Sequence, residues 1–339
     1  MANIMRTTAT AMAFALTTTA AMAQDVTLRV HHFMAEASGL HADLLVPFKE
    51  DIEAASDGRI EVELYASMAL GGGPADLYDQ AADGAVDIIL TLPGYTAGRF
   101  NRTEVFELPF LMDDTVAGSK AFYDLVEAEL QNDEYDETHI LSAWVHSRGH
   151  LHAEEPIRTL EDLSGREMRG PTRMVTDLLG ELGAIPVGMP LPAIPENLSK
   201  GVISGAALPW EITPSIRLAE MVTNHTVIEE GPALYTATFI LAMNLDAYDD
   251  MPDDLRAILD DHTGKAMAET AGAVMRGRDQ IGRDAAAGNT FIELDEAELA
   301  RWVDAAQPVY GRWVERATDE GFDGQAAIDQ ARTLIEENK

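Results

Sequence analysis

Apolar and polar residues alternate from Val26 to His31, the two-residue period of a half-buried strand. The period then lengthens: Leu44, Leu45, Phe48 and Ile52 share one stripe, which predicts a helix over Leu40 to Ala55 with Gly58 as its stop. Strand followed by helix recurs. Ile60 to Tyr65 reads as a strand, and the turn Gly71-Gly72-Gly73-Pro74 opens a helix with proline in its first turn, where the missing N–H does no harm. Val86 to Leu92 is nearly all apolar, as a strand covered on both faces is. A helix from Val116 to Leu130, with Thr115 as its expected cap, leads to a strand at Ile140 to Val145.

Within Leu163 to Ile212 strand, helix, strand, helix and strand follow one another between short Gly/Pro turns, including strands at Glu167 to Arg169 and Val202 to Leu208. Ala233 to Asn244 is a long apolar strand that runs back toward the first half. Two long helices close the chain. One is expected from Asp253 to Ala287. The other starts at Asp295, whose spacing to Glu298 resembles a capping box. In it Trp302, Ala306, Val309, Tyr310, Trp313 and Ala317 form a core stripe, with a kink expected at Pro308.

This alternation predicts an α/β protein, each domain a mostly parallel sheet flanked by helices, with crossing hinge strands and long C-terminal helices. A chain of 339 residues with 46% hydrophobic residues supports two cores. The returning strand places 24–146 with 234–276 in a first domain and 147–233 with 277–339 in a second. Residues 1–23 read as a signal peptide: Arg6 precedes an apolar run at Ala11 to Leu16, and Ala21-Met22-Ala23 fits a signal-peptidase site. That run is too short to span a bilayer, and no later segment reaches the length needed, so the mature chain is not expected to insert in a membrane. With no cysteine, disulfides, thiolate metal sites and a lipidated cysteine anchor are excluded, which fits a free periplasmic protein. A net charge of −34 argues against nucleic acid or an anionic membrane surface as partner. The acids are spread along helices, as solvated faces in a protein exposed to high salt.

The candidate chemistry lies at the carboxyl ends of the strands, where an open α/β sheet meets its ligand. Arg169 ends one such strand, and the Trp210-Glu211 pair follows another. A guanidinium offers two parallel donors to a carboxylate. A carboxylate beside a large aromatic suits an ammonium group, with Tyr95, Trp144 or Tyr235 completing a cage. His31 and His32 end the first strand and His146 the fourth, which points to at least one histidine contact with a ligand. Two ligand classes stay open: a small hydroxy or oxo acid held by Arg169, and a small amine, amino alcohol or amino acid held by Glu211. An exported enzyme is the competing class, but no G-x-S-x-G, H-E-x-x-H, G-x-x-x-x-G-K or dinucleotide fingerprint is present, and no catalytic residue, metal or cofactor is expected.

Several blocks, in order, carry a resemblance: LRVHHF, DGRIEVELY, the Leu70 to Gly72 turn, DGAVDI, FELPFL, DLSGREMRGP, LGAIPVGMP, LSKGVISGAALP and MNLDAYDDMPDDL. In these the mature chain resembles the periplasmic solute-binding subunit of tripartite ATP-independent periplasmic (TRAP) transporters, the DctP-type family. The resemblance implies two α/β domains that close on a small solute and deliver it to membrane permease subunits. Arg169 falls on the arginine that in this family pairs with a substrate carboxylate. Two positions depart from the family pattern: Leu208 stands where an asparagine is common, and Leu191 where an aromatic often follows the Met-Pro block.

Overall fold

The structure is a computed structural model describing residues 25–339, and the expected signal peptide lies outside the described residues. β1 (Val26–His32) leads through a helical segment at Leu40–Leu45 into α1 (Val46–Ala55), β2 (Ile60–Tyr65), α2 (Leu77–Ala82), β3 (Ile88–Thr91), α3 (Thr115–Leu125) and β4 (Thr138–Val145). The chain crosses to a second lobe of β5 (Gly149–Ala153), α4 (Leu160–Leu163), β6 (Glu167–Gly170), α5 (Arg173–Glu181), β7 (Ile185–Gly188), α6 (Ile194–Ser199), β8 (Gly205–Pro209) and β9 (Asn224–Val227). It returns through β10 (Thr238–Asn244), α7 (Leu245–Asp249), α8 (Asp253–Asp261) and α9 (Gly264–Ala285). Then β11 (Thr290–Glu293), α10 (Glu296–Asp319) and α11 (Gly324–Glu337) close the chain.

The described residues form a five-stranded sheet ordered β2-β1-β3-β10-β4 and a six-stranded sheet ordered β11-β9-β5-β8-β6-β7. β1, β2 and β3 are parallel, and β10 enters antiparallel between β3 and β4. All four residues of β3 are buried, as its apolar run requires. In the second sheet β6 is parallel to β7 and β8, whereas β5 runs antiparallel to β8 and β9. The two crossings lie side by side: the N–H of His146 donates to the carbonyl of Ala237 at 3.1 Å, and that of Gly149 to the carbonyl of Tyr235 at 3.1 Å. A Cβ at Gly149 would stand 2.0 Å from the Tyr235 ring, so glycine is what lets that ring lie across the hinge.

Three local expectations are corrected. Asp114, not Thr115, caps α3, its carboxylate accepting from the N–H groups of Val116 and Ala117 at 2.8 Å each. The helix expected over Asp253 to Ala287 is two, because Gly264 takes a left-handed φ of 67° that breaks the first and starts the second. Residues 202–204 precede β8: the N–H of Val202 bonds back to Asn197, and its side chain lies exposed.

α10 runs unbroken through Pro308 and buries Trp302, Ala306, Val309, Trp313 and Ala317. Each of its two tryptophans removes roughly 150–250 Å² from water, contributing about 4–6 kcal/mol. Their polar ends are matched, Trp302 donating to Glu298 at 2.9 Å and Trp313 to the Asn101 carbonyl at 3.2 Å. α10 thus spans the lobes, ion-paired to α5 through Arg316 and Asp177 at 3.1 Å and bonded to the first lobe through Tyr310 and the Pro109 carbonyl at 2.7 Å. α11 packs back on α3.

Candidate ligand-binding site

The strand ends of the two sheets face each other across a cavity. The first lobe supplies Phe33 and Met34, just past β1, and Leu92 and Tyr95, just past β3. The second supplies Arg169 from β6, Leu191, and the segment Leu208 to Ile212 at the end of β8, without Trp210. His146, Tyr235 and Phe239, on or beside the crossing strands, form the back wall. The aromatic walls interlock: Phe33 meets Tyr95 edge-on at 5.3 Å and lies nearly parallel to Phe239 at 6.4 Å.

The lobes are closed on this space. Tyr95 Oη, from the first lobe, accepts the N–H of Leu191, from the second, at 3.1 Å. Arg173 at the start of α5 reaches back to Glu104 with two parallel bonds of 2.8 Å each and bonds Asn101 as well. Gly94 approaches Thr172 so closely that a Cβ there would stand 2.4 Å from Thr172 Cγ2.

Arg169 is only 2% exposed. Its Nε donates to the Met189 carbonyl and its Nη1 to the Ala207 carbonyl, both at 2.9 Å, which locks the guanidinium against β8. No carboxylate among the described residues forms an ion pair with it. Burial lowers its pKa, with Tyr95 and Tyr235 acting in the opposite direction, but a guanidinium stays charged. A buried cation without a counter-ion costs several kcal/mol, and the open side of this one faces the cavity. An anion placed there offsets that cost.

Glu211 presents the opposite case. It is buried at the cavity wall, and its Oε2 has no hydrogen-bond partner among the described residues. Burial, and after it the charge of Asp279, pushes its carboxyl up to about 8, with Arg278 opposing, so it is neutral at pH 7. Its main-chain N–H donates to Asp279 Oδ1 at 3.1 Å, and Ser147 Oγ donates to the same oxygen at 2.6 Å. Asp279, on α9, thereby ties the end of β8 to the hinge, and burial pushes its own carboxyl up to about 6. The Tyr235 hydroxyl is likewise buried without a partner among the described residues. His146, edge-on to Tyr235 at 5.2 Å, donates from Nδ1 to the Ser147 carbonyl and is neutral, because burial pushes it down to about 4.

The structure therefore brings Arg169, Glu211, Tyr95, His146 and Tyr235 to one cavity. It does not bring the other four candidates there. Trp210 packs away from it, stacked on Phe291 at 5.2 Å and edge-on to His152 and His225, because Trp210 and Glu211 open a 3₁₀ helix (Trp210–Ile216) with three residues per turn, which points successive side chains about 120° apart. A cage pairing Trp210 with Glu211 is thus not formed. His31 is buried between Gln80, at 2.7 Å, and the Leu70 N–H, at 3.3 Å. His32 pairs with His41 at 3.0 Å. Trp144 stands one layer back, stacked on Phe239 at 6.0 Å. Arg148, which donates to the Asp113 carbonyl at 2.8 Å, and the glycine turn at Gly71 to Gly73, whose Gly73 N–H goes to Asp76 at 2.7 Å, do not line the cavity. Sequence reasoning missed Phe33, Met34, Ile212 and Phe239, which read as ordinary core residues. The one signal for the first two was their place directly after a strand.

Residues 30–317 match the sequence model of the DctP family, described as bacterial extracellular solute-binding protein, family 7. The chain belongs to this family. It is a TRAP-type periplasmic solute-binding protein, a receptor and not an enzyme. A TRAP solute-binding protein from Rhodoferax ferrireducens, solved with copurified benzoate, is 47% identical, with 92% of this chain and 98% of that one covered and a TM-score of 0.90. A marine metagenome receptor specific for aromatic acids, solved with 3-hydroxybenzoate, is 38% identical over 94% of this chain and all of that one, with a TM-score of 0.91. The ectoine-binding periplasmic protein TeaA of Halomonas elongata is 23% identical over 84% of this chain and 82% of its own. In this receptor the two departures noted in the sequence, Leu191 and Leu208, both line the cavity. Both add aliphatic surface to its wall.

Proposed function

We propose that this receptor binds a small aromatic monocarboxylate, closes its lobes on it and hands it to TRAP membrane permease subunits. The observation that carries the reading is Arg169: a buried cation with no carboxylate partner among the described residues, facing a cavity whose walls, apart from Glu211, are rings and aliphatic side chains. One anchor suits one carboxylate, and the walls suit a flat ring rather than a polyhydroxylated chain. The benzoate held by the receptor 47% identical to this one supports the same class. Because Arg169 and Leu208 belong to one lobe and Phe33 and Tyr95 to the other, a ligand touching both is bound best in the closed form and shifts the population toward it.

The amine reading draws on the unpartnered Glu211 and the ectoine-binding relative. Holding an ammonium group requires Glu211 to ionise, which burial and Asp279 oppose. Calorimetric titration separates the readings. Benzoate and its ring-substituted analogues are expected to bind, and a panel of small amines, amino alcohols and ectoine is not. Binding confined to that second panel would overturn the assignment.

A further inference from the structure

We propose that Glu211 and Tyr235 form a second polar subsite that holds a hydroxyl on the ring of the bound acid, making this receptor select hydroxylated aromatic acids over the unsubstituted ring. The inference rests on the aromatic-acid reading and adds to it a residue-level basis for selection.

The argument comes from which polar atoms of the cavity are already used. Arg169 spends Nε and Nη1 on the Met189 and Ala207 carbonyls. Tyr95 Oη accepts the Leu191 N–H, and His146 Nδ1 donates to the Ser147 carbonyl. Two buried polar atoms are left over, Glu211 Oε2 and Tyr235 Oη, and both residues line the cavity. Buried polar atoms are nearly always partnered, so two lining one cavity mark the place of something polar that the protein does not supply. The Glu211 backbone is tied to Asp279, and the Tyr235 ring lies where the missing Cβ of Gly149 leaves room for it.

A hydroxyl fits both. It donates one hydrogen bond and accepts others, while a protonated carboxyl and a phenol each do the same, so the three groups satisfy one another without any charge entering the cavity. A second carboxylate on the ligand would bring charge against Glu211 and toward Asp279. An ammonium group would need Glu211 to ionise beside that same carboxylate. An unsubstituted ring leaves both atoms unpaired, which on ordinary hydrogen-bond energies is worth about tenfold in affinity.

The test is calorimetric titration of the mature protein with benzoate and with 2-, 3- and 4-hydroxybenzoate, repeated on Glu211→Leu and Tyr235→Phe. The tightest hydroxybenzoate should bind the unaltered protein about tenfold or more tighter than benzoate, and the ratio should collapse toward one in Glu211→Leu and fall in Tyr235→Phe. Benzoate binding at least as tightly as every hydroxybenzoate overturns this inference alone, and that comparison needs no variant to fold. A ratio unchanged in Glu211→Leu overturns the role of Glu211. Binding of none of the four acids overturns the aromatic-acid reading and this inference with it.

Discussion

Closure of the lobes depends on a contact that a single methyl group would block. Gly94 lies on the first lobe beside Tyr95, and Thr172 precedes α5 on the second. An ideal Cβ at Gly94 would stand 2.4 Å from Thr172 Cγ2, 2.8 Å from Thr172 Cβ and 3.3 Å from Glu107 Oε1. Carbon atoms in ordinary contact sit about 3.5–4.0 Å apart, so Gly94→Ala overlaps Thr172 by more than about 1 Å. Rotating the threonine side chain moves Cγ2 but not Cβ, and the backbone at Gly94 is one that alanine adopts freely. Relief must therefore come from the lobes moving apart. Overpacking of this size costs about 1–3 kcal/mol, which here falls on the closed state alone. The affinity for benzoate should drop about 5- to 150-fold in calorimetric titration, while the melting temperature of the ligand-free protein stays within a degree or two. Adding Thr172→Ala, which removes the nearer atom, should return part of the loss. Affinity within about twofold of the unaltered protein would show that Gly94 and Thr172 do not meet in the bound state.

Three further outcomes follow from the same geometry. Arg169→Lys keeps a charge but cannot bond both the Met189 and Ala207 carbonyls and still present a planar fork, so benzoate affinity should fall about 10- to 100-fold with the fold intact by circular dichroism, and an unchanged affinity would remove Arg169 as the anchor. The pH dependence has a definite sign above about pH 7.5: burial holds Glu211 up to about 8 and Glu107 and Glu134 up to about 7, so the native state binds more protons than the unfolded state, whose carboxyls titrate near 4.5. Stability contributed by these protonated groups is lost as pH rises through their folded values; the buried histidines, lowered in the fold from about 6.5, act in the opposite direction near pH 6.5 but are nearly all neutral in both states by about pH 7.5. The melting temperature should fall from about pH 7.5 to about 8.5 and fall less in Glu211→Gln, and a flat or rising profile would refute the assignment. A net charge of −34 predicts a melting temperature that rises between about 0.1 and about 1 M sodium chloride, as screening relieves self-repulsion, and no rise would remove the inferred tie to high salt.

Much of the architecture was legible because it rests on periodicity. The apolar runs at Ile88–Thr91 and Thr238–Asn244 became central strands, and the Trp302 to Ala317 stripe became the buried face of α10, as a period of two or 3.6 dictates. The errors of detail came where a single backbone group decides. Asp114 caps α3 in place of Thr115 because its carboxylate reaches two N–H groups at once, and Gly264 splits a helix that composition alone would carry through.

The cavity was half legible, and the division has a physical cause. Charged or polar residues at strand ends announce themselves, which is how Arg169, Glu211 and His146 were found. Apolar walls do not, since Phe33 and Phe239 have the composition of core whether a ring of the protein or a ring of a ligand packs against them. Neither does facing direction. Trp210 and Glu211 are adjacent in sequence and looked like one ammonium cage, yet the chain sends one to a packed cluster with Phe291 and the other to the cavity. Without its tryptophan, and with Asp279 behind it, Glu211 is better suited to share a proton with a hydroxyl than to hold a cation. The charge of this cavity is thus set by Arg169, and its selectivity by an acid kept from ionising.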